Sequence, residues 1–334
     1  MLREYEHLPA GLLDLGPERL HEILPGPALI HLPGRRPAPL FVSVLLHGNE
    51  PTGWLAARQI IRKHAGGGLP RALSLFIGNV AAARHGLRVL DGQPDYNRVW
   101  PGGEDSARPE YAMARQVVAA MRARGVFASI DIHNNTGLNP HYGCVNRLDP
   151  AWLHLATLFS RTVVYFTTPR GVQSAAFAEL CPAVTLECGK PGSGVEHAAD
   201  YLDACLHLAE FPAQPVLAQD IDLFHTIASV KLPEAARIAF APGDCDIEFA
   251  ADLDHLNFRE LPAGSPLGRL HGARGIRLRA WNEAGEEIGR QLFDDADGHI
   301  RLRRALMPAM LTLDARVIRQ DCLCYLMERL APPA

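Results

Sequence analysis

The sequence predicts an α/β fold, a sheet with helices on both faces, followed by a smaller and mostly β region. Three observations carry this. Up to about residue 210, short apolar runs without helical period alternate with amphipathic segments. Gly and Pro punctuate the boundaries between them. Beyond Phe211-Pro212-Ala213-Gln214-Pro215 the elements shorten and turn signals crowd together, as at Ala241-Pro242-Gly243 and Asn282-Glu283-Ala284-Gly285.

The elements follow in order. Residues 38–46 form a buried strand, too short and too uniformly apolar for an amphipathic helix. Thr52-Gly53 opens a helix over Trp54–His64, with apolar positions at Trp54, Leu55, Ala57, Ile60 and Ile61, and Gly66-Gly67-Gly68 stops it. Leu73–Gly78 reads as a second strand. Pro109–Arg124 has Pro at its start, basic residues in its last turn and Gly125 after it, the marks of a helix. Val126–Ile132, Val163–Thr167 and Ala183–Cys188 read as further strands, and Val195–Glu210 as a helix. The segment Asn134–Asn146, with His141, Tyr142 and Cys144, reads as a loop able to shape a pocket. Ile276–Trp281 alternates like a half-exposed strand. This divides the chain into a domain over 1–212 and a smaller one over 213–334.

Bulk properties exclude several classes. The formal net charge of −4 gives no electrostatic case for nucleic acid or an anionic membrane. No apolar stretch reaches the length of a membrane span. The N-terminus, Met1 to His7, is charged and lacks the apolar core of a signal peptide. The seven cysteines are odd in number and form no C-x-x-C pair, which argues against a disulfide framework or a zinc ribbon. A reducing, cytoplasmic location is expected.

Chemistry-bearing residues gather at the ends of the predicted strands, where α/β folds place active groups. His47-Gly48-Asn49-Glu50 follows the first strand, and Gly48 is expected to allow the turn that brings His47 and Glu50 together. Asp131-Ile132-His133 ends another strand, with Asp131 placed to orient the His133 ring. Two imidazoles and a carboxylate are the ligand set of a catalytic zinc site. Taken singly, each histidine fits a buried imidazole equally well. Glu187 ends the apolar run from Ala183, where a carboxylate is costly unless paired or functional; it suits a general base. In the loop Arg88–Gly102, the Asn97-Arg98 pair suits a carboxylate, and Arg88 suits a developing oxyanion.

The ordered set HGNE, then D-x-N-R-x-W-P-G, then D-I-H-N, then L-E-x-G resembles the succinylglutamate desuccinylase/aspartoacylase family of zinc carboxypeptidase-like (M14-type) metallohydrolases. The resemblance spans about residues 40–190. It implies a mixed central sheet, and one zinc ion held by His47, Glu50 and His133. It implies Glu187 as base and proton shuttle, with Asn97 and Arg98 on the substrate carboxylate and Arg88 on the scissile carbonyl. The C-terminal β region is then expected to cap the site. After Glu187 the chain reads Cys188-Gly189-Lys190 rather than the Val-Gly-Pro-Gln type of ending found in aspartoacylases, which argues against N-acetylaspartate as substrate.

The expected function is zinc-dependent hydrolysis of the amide of an N-acyl amino acid by metal-activated water. The expected partner is that small molecule, with homo-oligomerisation left open. The alternatives are a carboxypeptidase-like peptidase acting on short peptides and a non-catalytic metal-binding relative.

Overall fold

The computed structural model describes residues 2–271 and 276–333. The chain packs as two compact units. The first comprises Met1–Asn134, His141–Leu223 and Ala331–Ala334, and the second Asn135–Pro140 and Phe224–Leu330. The change in composition at 212 therefore precedes the change in packing at Leu223, and a six-residue excursion from the first half joins the second unit.

In the first unit the strands are β1 (Arg3–Tyr5), β2 (Ala28–Leu32), β3 (Gly34–Val44), β4 (Leu69–Ile77), β5 (Ala128–His133), β6 (Tyr142–Val145), β7 (Thr162–Tyr165) and β8 (Ala183–Glu187). They lie side by side in the order β1-β2-β4-β3-β5-β8-β6-β7. The central pairs β4-β3, β3-β5 and β5-β8 are parallel, while β2-β4 and β6-β8 are antiparallel, so the sheet is mixed. The helices are α1 (Thr52–Lys63), α2 (Val80–Ala83), α3 (Pro109–Ala123), α4 (Pro150–Thr157), α5 (Gln173–Ala178) and α6 (Val195–His207).

Side-chain alternation divides the two faces of this sheet. Val44 of β3 and Ile132 of β5 meet α1 at Gly53, where an added Cβ would lie 2.9 Å from Val44 Cγ1. Phe41 points the other way and stacks on Phe177 of α5, with ring centroids 4.3 Å apart. Trp100, Met113, Val117 and Phe76 complete that second core. On the same face β5 presents Ser129, Asp131 and His133, all buried. The run Ser-Ile-Asp-Ile-His is therefore one apolar row and one polar row on a strand buried from both sides.

Two expectations are corrected. The strand expected over 38–46 ends at Val44, because Leu45 turns the chain with φ 56° and its carbonyl accepts from Asn79 N at 2.6 Å. The segment 134–146 is not one loop. Its first part packs with the second unit, and Tyr142–Val145 is β6, antiparallel to β8 with Tyr142 opposite Glu187.

The second unit is mostly β. In one group β13 (Arg279–Trp281) and β17 (Cys324–Arg329) flank β9 (Asp222–Lys231), and β16 (Met307–Ala309) follows β17. In the other, β10 (Ile238–Ala239), β11 (Ile247–Phe249), β12 (Pro266–Leu270), β15 (His299–Leu302) and β14 (Phe293–Asp294) lie in that order. Short helices α7 (Gly289–Leu292) and α8 (Ala315–Gln320) accompany them. Val230, Ile247, Phe249, Leu292, Ile300 and Leu326 lie at its core. Among the described residues no helix is long and apolar enough to cross a membrane, and all seven cysteines are free thiols.

Candidate metal centre

His47 and Glu50 lie just past the end of β3, and His133 is the last residue of β5, the neighbouring parallel strand. One ligand atom from each falls within 4.8 Å of the others, and all three residues are buried. Glu50 is the hub. Its Oε1 lies 2.8 Å from His47 Nδ1, and its Oε2 lies 2.7 Å from His133 Nδ1. Asn134 N donates to Oε2 as well, at 3.2 Å.

Each imidazole turns its other nitrogen to a carboxylate of its own. His133 Nε2 lies 2.7 Å from Asp131 Oδ2, and Asp131 Oδ1 accepts from Ser43 Oγ at 2.6 Å. His47 Nε2 lies 2.9 Å from Asp95 Oδ1. A carboxylate behind a metal-binding histidine fixes its tautomer and ring angle. Nδ1 is thereby the nitrogen each ring directs to the shared centre.

The charges reinforce the arrangement. Burial works to lower the His133 pKa, but Asp131 and Glu50 outweigh it and raise it well above the ordinary value. His47 is raised too: burial and Arg88 oppose, while Glu50 and Asp95 prevail. Burial works to raise Asp95, yet His47 and Arg88 hold it well below the usual carboxylate range. Glu50 is likewise lowered against its burial, by His47 and His133. The donor set of two imidazoles and a carboxylate, each imidazole backed by an acid, fits a zinc-type ion.

The remaining residues singled out in the sequence lie around this centre. Arg88 Nη2 donates to Asp95 Oδ2 at 2.9 Å, and its Nη1 lies 3.6 Å from Glu50 Oε1. Asn97 is buried, and its Oδ1 accepts from Gln173 N at 2.9 Å. Its Nδ2 is 3.2 Å from His133 Nε2, a contact rather than a bond when that nitrogen gives its proton to the closer Asp131. Arg98 Nη1 donates to the Asn97 carbonyl at 2.9 Å, and its charge contributes to lowering Asp95. Glu187 stands opposite His133 in the parallel β5-β8 register, so both side chains leave the same face of the sheet.

Two contributors carried no role in the sequence reading. Asp95 was visible only as part of D-x-N-R. The signal that finds it is its likeness to D-I-H, an acid two residues ahead of a site residue. Gln173, at the start of α5, is wholly buried, and its Nε2 donates to Ser129 Oγ at 2.7 Å. Nothing in its local sequence marks it. Away from this centre, His64 binds Asp203 at 2.6 Å, and His197 binds the Phe159 carbonyl at 2.8 Å.

Asp95→Ala removes the acceptor behind His47 and the counter-ion of Arg88 together. Metal affinity is expected to fall by about 10–100-fold, read by competition with a chromophoric chelator. An unaltered affinity would detach Asp95 from the centre.

A mixed α/β sheet with a His-Glu-His cluster at its strand ends defines a class, the zinc carboxypeptidase-like fold. Within it, the catalytic-domain model of the succinylglutamate desuccinylase/aspartoacylase family matches residues 39–207, and the chain belongs to that family. No curated protein matches the chain in sequence. Among solved structures, the succinylglutamate desuccinylase of Vibrio parahaemolyticus is 14% identical, covering 88% of this chain and 82% of its own, with a TM-score of 0.59. That of Chromobacterium violaceum is 19% identical, covering 90% and 87%, with a TM-score of 0.57. Murine aminoacylase 3 is 17% identical, covering 89% and 96%, with a TM-score of 0.56.

Proposed function

We propose that this protein is a zinc-dependent deacylase that hydrolyses the amide of an N-acyl amino acid. The observation that carries the reading is the convergence of His47, Glu50 and His133, each imidazole backed by its own carboxylate. Family membership supports it. The solved relatives bear the names of a desuccinylase and an aminoacylase, and removal of an acyl group from an amino acid is the chemistry those names share.

His47, Glu50 and His133 hold the ion. When bound, it supplies Lewis acidity, lowering the pKa of water and polarising a carbonyl oxygen. Glu187 takes a proton from the attacking water and returns it to the departing amine nitrogen. Arg88 offers its guanidinium to the charge developing on the acyl oxygen. Arg98, with the Asn97 amide beside it, grips the carboxylate of the amino acid. The seven free thiols support a reducing, cytoplasmic setting.

The test is a hydrolysis screen of the zinc-loaded chain. It covers N-acetyl, N-succinyl and N-formyl amino acids together with dipeptides, with released amine as the readout. At least one N-acyl amino acid is expected to turn over, and Arg98→Ala is expected to raise its KM by about tenfold or more, the worth of one charged hydrogen bond. Cleavage of dipeptides alone would transfer the assignment to a peptidase. No hydrolysis across the panel would overturn it.

A further inference from the structure

A second set of metal-binding side chains lies in the second unit, separate from the residues of the proposed active site. Cys245, Glu248 and His271 each offer a ligand atom, and the three atoms fall within 4.8 Å of one another. We propose that they form a zinc site that ties β11 to the end of β12.

The backbone fixes the three ligands before any ion arrives. β11 and β12 pair antiparallel, with Ile247 opposite Leu270 and Glu248 opposite Arg269. His271 extends β12 by one residue, and its N donates to the Asp246 carbonyl at 2.9 Å. On this ladder its ring reaches Glu248 along the diagonal, with Nε2 2.8 Å from Oε2. Cys245, just ahead of β11, is buried. Asp246 N and Ile247 N both donate to the Arg237 carbonyl, which pins the chain on the far side of Cys245.

The charge around the set favours a dication. Arg237 is held by two acids, bonding Asp244 through Nη1 at 2.6 Å and lying 3.4 Å from Asp246 through Nε. That leaves Glu248 to His271. Arg269, across the ladder, makes no ion pair with Glu248 among the described residues. A thiolate, an imidazole and a carboxylate select zinc over calcium or magnesium, which take oxygen ligands. Entry is open from one side, because the His271 side chain is 43% exposed and the Glu248 side chain 19%.

Sulfur makes the site testable apart from the active centre, since His47, Glu50 and His133 bring none. The full-length protein is titrated with Co2+ alone, and the thiolate-to-cobalt charge-transfer absorption is followed. The parent chain and a His133→Ala variant are both expected to develop the band, and Zn2+ is expected to abolish it. Cys245→Ser and His271→Ala are expected to lose it. His271 lies on the surface, so its loss leaves the fold intact and keeps the test informative if Cys245→Ser fails to fold. Absence of the band in the parent chain would overturn the proposal, as would its survival in His271→Ala or its disappearance in His133→Ala.

Discussion

Glu187→Gln is expected to lower turnover by about 10²–10⁴-fold with metal content unchanged, the usual loss when a general acid–base group is removed. The side chain leaves the last position of β8 on the same face as His133, its neighbour in the parallel register. Only 8% of it is exposed, so the carboxylate is held in a site where burial is costly unless it is bonded or used. Tyr142 stands opposite it on the other flanking strand. Close by, burial and the Glu187 charge push the Cys144 thiol well up, so the thiol is no rival base near neutrality. Glutamine keeps the shape and hydrogen-bonding reach while it cannot carry the proton. The decisive comparison is kcat against bound metal, measured on the same preparation. Turnover equal to that of the parent would remove Glu187 from the mechanism. A parallel loss of metal would make it structural.

The second large effect belongs to Gly48. The turn expected between His47 and Glu50 is present, with Glu50 N donating to the His47 carbonyl at 3.2 Å, but Gly48 does not adopt a positive φ in it. Gly48 is required for a different reason. A Cβ there would lie 2.2 Å from Ala83 N and 2.3 Å from Ala82 C, both backbone atoms of α2. Gly48 N donates to the Arg88 carbonyl at 3.1 Å, which closes the other direction of retreat. Gly48→Ala must displace either α2 or the segment carrying His47 and Glu50. A cost of about 3 kcal/mol, at the upper end for overpacking, and loss of bound metal are expected. Gly67→Ala is the control, because no atom lies within 4 Å of a Cβ built there; it is expected to stay within about 0.5 kcal/mol of the parent. Denaturant melts and metal analysis of the two variants decide the matter. Equal stability would show that close approach does not constrain Gly48.

What the sequence disclosed follows from the range of the forces involved. The strands that end at His133 and Glu187 were legible because burial on both faces leaves an unbroken apolar signature, and a polar residue at its end stands out. The helices over 52–63 and 109–123 were legible from caps and period. Several of the elements missed are short. The strand Tyr142–Val145 and the helix Gln173–Ala178 have four and six residues, too few to display a period. The pairing of Asp95 with His47 bridges 48 positions, and no local pattern encodes which distant acid will meet which ring. Arg88 shows the same limit, since its ion pair with Asp95 arises only when the loop folds back on itself.

The excursion Asn135–Pro140 bears on how this protein can be dissected. It begins two residues after His133, yet its bonds lie in the second unit: Thr136 Oγ1 donates to Thr312 Oγ1 at 2.8 Å, and Met310 N donates to Asn139 Oδ1 at 2.9 Å. The second unit is thus built from two separate stretches of the chain. A chimera that grafts a relative's tail after Leu223 leaves these six residues stranded without their native companions, next door to His133 of the candidate metal centre. Any such exchange has to carry the excursion along with the tail.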